Sequence, residues 1–199
     1  MKLRNLAAGL VVASMGMSSL ALAGPGGQAV VTKQKTAFTV VNLGAEVDGS
    51  SYSMTARNFD DAAGVMQGEI SVQRFGFDPS TGGLSFSFIT CSGPTFANTV
   101  TVNKTSGASS VNAVLDPAAP GCFGFNTTTL VVAITGTSNG TFSRSDTGTT
   151  ILRFVGFTEK ASFQSDGFDE NFSGSIGYYT GAFTGNAESA KITNRTRVN

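Results

Sequence analysis

The chain has 199 residues with 13 basic and 13 acidic side chains, sixteen Phe, two Cys, and neither His nor Trp. Without histidine there is no Ser-His-Asp triad, no Cys-His pair and no imidazole metal site. The balanced charge favours neither nucleic acid nor an anionic membrane surface as a partner.

Residues 1–23 carry Lys2 and Arg4, then an apolar Ala-rich run, then Ala21-Leu22-Ala23 before Gly24-Pro25-Gly26. That order is the layout of a secretory signal peptide cut after Ala23. Its removal leaves 176 residues with 11 basic and 13 acidic side chains and no transmembrane anchor. The expected location is secreted, periplasmic or at a bacterial cell surface. Residues 24–35, Gly-rich and then polar, read as a flexible leader, and 36–199 as a single all-β domain of ordinary size.

From residue 36 onward, short runs of strand formers alternate with Gly, Asn, Asp, Ser and Pro. The runs cover 36–43, 51–57, 69–77, 84–91, 98–103 and 110–115. They continue over 129–135, 141–145, 149–157, 161–165, 172–179, 181–185 and 190–194. A helical turn is conceivable only over 56–68. Alternation is clearest in 84–91, where Leu84, Phe86 and Phe88 share one face and Ser85 and Ser87 take the other. Residues 69–77 are the expected hairpin partner, joined through the turn formers of 78–83. In that partner the apolar phase shifts between Val72 and Phe75, which predicts a bulge near Arg74 or a strand covered on both faces. The expected fold is an antiparallel β-sandwich, with a closed antiparallel barrel as the alternative. Its core should draw largely on the sixteen Phe together with Val, Ile and Leu.

Cys91 and Cys122 are the chain's two cysteines, 31 residues apart. A redox or metal role needs CxxC spacing, further thiols or histidine, so in an oxidising compartment the pair reads as a structural disulfide. Three other constellations stand out. Asp166, Asp169, Glu170 and Asn171 crowd one Gly-bounded segment, whose hard oxygens suit Ca2+ although the spacing is not that of an EF-hand. Tyr178 and Tyr179 are adjacent, so on a strand one of them faces outward, as a sugar-stacking ring would. Paired carboxylates from Asp60, Asp61, Glu159 and the 166–170 acids are what remains for hydrolysis, and no spacing pairs them.

The leading expectation is therefore a non-catalytic secreted or periplasmic β-domain with a structural, adhesive or ligand-binding role at the cell envelope. Polysaccharide or an envelope protein would be its partner. A carbohydrate-binding module using Tyr178 or Tyr179 is one alternative, and a small outer-membrane barrel is another.

Overall fold

The computed structural model describes residues 30–61, 63–77, 82–125, 128–142, 150–154, 157–177 and 179–198. The expected signal peptide, residues 24–29 of the leader, part of the 78–83 turn and Tyr178 lie outside the described residues. The strands are β1 (Val30–Val47), β2 (Ser50–Asp60), β3 (Met66–Phe77), β4 (Leu84–Gly93), β5 (Val100–Val102) and β6 (Ser109–Leu115). They continue as β7 (Cys122–Gly124), β8 (Leu130–Phe142), β9 (Thr150–Phe154), β10 (Phe157–Ile176) and β11 (Thr180–Val198). Between β4 and β5 lies one 3-10 turn, Pro94–Phe96.

The all-β antiparallel class holds, but the strands belong to one sheet curled into a half-barrel. The order is β5-β6-β8-β10-β11-β1-β2-β3-β4-β7, with β9 beside β10. The first and last described strands pair at the centre, from Val30 opposite Val198 to Gly44 opposite Thr184. At one end the sheet folds back over its own concave side. There β5 lies against β1, β2 and β11, and buried Asn58 donates from Nδ2 to the Val100 carbonyl at 2.8 Å.

The strands are longer than the sequence pattern suggests. Residues 30–35, expected as leader, are the start of β1, and β10 and β11 run 20 and 19 residues. Several glycines mark close strand approach rather than turns. A Cβ at Gly174 would strike the Ala133 carbonyl oxygen of β8, and one at Gly185 the Asn42 carbonyl oxygen of β1. Asp48 and Gly49, with φ of 49° and 74°, form the two-residue link of the β1–β2 hairpin. The conceivable helix over 56–68 is instead a hairpin. Asp61 closes its turn by accepting the Ala63 and Val65 N–H groups, each at 2.9 Å.

The core occupies the concave face. Val41 and Leu43 on β1, Met54 and Ala56 on β2, and Ile70 and Val72 on β3 point inward, each pair two residues apart. Across from them stand Val132 and Ile134 of β8, Phe172 and Ile176 of β10, and Phe183 and Ala187 of β11. Aliphatics predominate here, and among the described side chains five Phe are more than half exposed. The core is therefore less aromatic than expected.

Cys91 and Cys122 form a disulfide at directly opposed positions of β4 and β7. Strand β7 has three residues and ends the sheet, so few backbone bonds hold it. Replacing both cysteines by Ser should lower stability by about 3–4 kcal/mol, the chain-entropy value for a loop of this size. Denaturant unfolding of the oxidised, reduced and Ser-substituted proteins measures this, and the reduced protein should match the variant.

Candidate functional site

The β3–β4 hairpin pairs in continuous register from Gly68 opposite Gly93 to Phe77 opposite Leu84. No bulge interrupts it at Arg74. At the base, Ile70, Val72, Ile89 and Cys91 are buried, and they set which side of each strand faces inward. Strict alternation then decides the distal half. Arg74, Gly76, Ser85 and Ser87 fall on the inner side, while Phe75, Phe77, Leu84 and Phe86 fall on the outer side. The phase shift between Val72 and Phe75 is thus a reversal of polarity along an unbroken strand.

Room for the apolar row inside is lacking. A Cβ at Gly76 would already collide with the Ser50 side chain. The guanidinium of Arg74 instead lies 6.0 Å from the Tyr52 ring centroid.

Strand β7 extends the outer row. Phe123 stands opposite Thr90, and the Phe125 N–H donates to the Phe88 carbonyl at 2.9 Å. Gly124 faces inward over Ile89, where a Cβ would strike the Phe88 carbonyl oxygen. The rings form a continuous series. Centroids are 6.5 Å apart for Phe86–Phe88, 6.4 Å for Phe88–Phe123 and 6.2 Å for Phe123–Phe125. Exposure is 53% for Phe75, 57% for Phe77, 68% for Leu84, 54% for Phe86, 68% for Phe123 and 71% for Phe125. Single exposed apolar residues are ordinary, but a contiguous group of this size marks a contact surface.

No charged residue stands among these seven. Glu46 and Asp48 line a depression with Phe75 at the β1–β2 turn. On β2 and β3 the outer face turns polar through the Arg57–Glu69 ion pair at 2.8 Å.

The residues singled out from sequence lie elsewhere, apart from the disulfide. Tyr179 is half-buried at the core margin, stacked on Tyr52 with centroids 5.1 Å apart and edge-on to Phe183 at 5.1 Å. Its ring is occupied by these neighbours. Asp166, Asp169, Glu170 and Asn171 are not in a loop but within β10, paired with β11 position by position. Alternation sends Asp166 and Glu170 inward and Asp169 and Asn171 outward, so the four do not surround one point. Among the described residues no group of three His, Cys, Asp or Glu is arranged to hold a metal ion.

Glu170 is buried, at 1% exposure. Ser109 donates from Oγ to its Oε2, and Gly136 leaves the space they fill. Among the described residues Oε1 has no hydrogen-bond partner. Burial pushes the carboxyl above the usual glutamate range, and the Ser109 bond opposes this.

No protein-family model and no curated protein matches the chain. Among solved structures, a crystal structure from Nitrosomonas europaea provisionally named AttH aligns at 10% identity and a TM-score of 0.32. The alignment covers 79% of this chain and 50% of that one, so this chain spans about half the neighbour's length. A likeness at that level carries no argument about fold or activity.

Because the native state holds the Glu170 proton more tightly than the unfolded chain, stability declines as pH rises from the usual glutamate range toward the raised native value. Glu170→Gln keeps the size of the side chain and removes that decline. Thermal unfolding at about pH 4 and about pH 7 should therefore show the variant gaining on the wild type at the higher pH.

Proposed function

We propose that this is a non-catalytic β-domain, exported to the periplasm, cell surface or exterior, which acts through contact at its aromatic outer face. The observation that carries the reading is the row from Phe75 to Phe125, seven apolar side chains with no charge among them. Support for export comes from the A-x-A pattern at Ala21–Ala23 and from the disulfide, which oxidising compartments preserve. Support for a non-catalytic role comes from the lack of histidine and the separation of the acids along β10. A structural or adhesive role suits such a surface. Phenylalanine offers area and shape but no hydroxyl or indole N–H with which to read a polar ligand.

The test compares wild type with Phe86→Thr/Phe123→Thr, in which threonine keeps strand propensity while deleting both rings. Both positions are exposed, so the melting curve should stay within about 0.5 kcal/mol of wild type. Retention on isolated envelope material and on insoluble polysaccharides should fall sharply in the variant. Equal retention of the two proteins would sink the reading.

A further inference from the structure

We infer that the aromatic outer face of β3, β4 and β7 is covered in solution by the same face of a second copy of this chain, related by a twofold axis. This deepens the reading of that face as the contact surface and rests on it.

Three observations select this occupant. The first is area. Taking a phenylalanine as about 200 Å2, the exposures of these side chains leave roughly 700 Å2 of apolar surface on this face. That exceeds the roughly 300–600 Å2 typical of the largest patch on a monomer and approaches the about 800 Å2 each partner gives to a standard interface.

The second is charge. An isologous contact brings each residue near its own copy, so any charge at the centre would meet its like. The outer positions of the distal hairpin and β7 are Phe75, Phe77, Leu84, Phe86, Phe88, Phe123 and Phe125, all neutral. The same composition disfavours other occupants, since it supplies no cation for an anionic headgroup or polymer.

The third is the direction of the apolar side. Across the distal hairpin the inner face carries Arg74, Gly76, Ser85 and Ser87, and among the described residues Phe75, Phe77 and Phe86 on the outer face remain more than half exposed. Two sheet faces stack about 10 Å apart with interleaved side chains, and paired rows such as Phe75–Phe86 and Phe77–Leu84 supply ridges for that packing. Edge-to-edge joining offers less, because β7 contributes three residues.

Sedimentation velocity on the purified, disulfide-bonded protein, from micromolar to sub-millimolar concentration, tests this against two variants. Phe86→Thr/Phe123→Thr removes the centre of the face. Val114→Thr/Val131→Thr alters the exposed pair opposed across β6 and β8 and serves as control. The expected result is a dimer for wild type and control. The Phe variant should associate at least about a hundredfold more weakly, the loss typical of two central aromatic anchors. Circular dichroism checks that it is folded, and Phe123→Thr alone replaces it if it is not.

A monomeric wild type at every concentration overturns the inference, as does a Phe variant that dimerises like wild type. Envelope retention that depends on the face, shown by a monomeric protein, overturns the dimer alone and leaves the contact surface standing. Face-dependent binding of a monomer to phosphatidylcholine vesicles overturns it in favour of a lipid surface.

Discussion

The pairing of β1 with β11 holds the molecule together. Fifteen successive positions, Val30 to Gly44 against Val198 to Thr184, join one meander, β1-β2-β3-β4-β7, to another, β5-β6-β8-β10-β11. Without that ladder each half would expose a long central edge and half a core. With it, inward rows from both halves meet across the concavity, and Phe172 of β10 and Val41 of β1 become part of one buried cluster. The sheet must curl for this to happen. Glycines at 174 and 185, where a side chain would strike the neighbouring strand, permit the close approach.

A curled sheet has one inside, and the inside has limited length. The β3–β4 hairpin obeys the core at its base, where Ile70, Val72, Ile89 and Cys91 are buried, and outruns it at its tip. Since alternation cannot change phase without a bulge, and none is present, the tip inherits a facing that its own composition did not select. Phenylalanines therefore stand outside, and Arg74 with two serines stands inside. The disulfide adds to this by fixing β7 beside β4, which places Phe123 and Phe125 in line with Phe88. One covalent bond thus serves both the sheet edge and the contact surface.

Much of the architecture was legible in the residues. Turn formers between β-branched runs announced an antiparallel all-β chain, the two cysteines announced their bond, and the hairpin of 69–77 with 84–91 paired as expected. What escaped was long-range. Period two states that Leu84, Phe86 and Phe88 share a side, but which side is inner depends on strands far away in sequence. Glycines read as breaks, so β10 was divided and its acids were placed in a loop. The clues to the outer face were present as anomalies: the phase shift after Val72, the adjacent Phe88 and Ile89, and the Phe-Gly-Phe of 123–125. Each marks a strand apolar on both faces, which a single-sided core does not require.

The central ladder also dictates a sequence of events. A ribosome delivers residues 30–47 long before residues 180–198, yet these are neighbours in the finished sheet. Strand β1 can find β2 early, but its other edge, eighteen residues long, waits for almost the entire chain. Until β11 arrives, that edge is a long open template on the nascent protein, and any other strand in reach can compete for it. Holding β1 apart until β11 emerges is thus a task that the native topology hands to the cell.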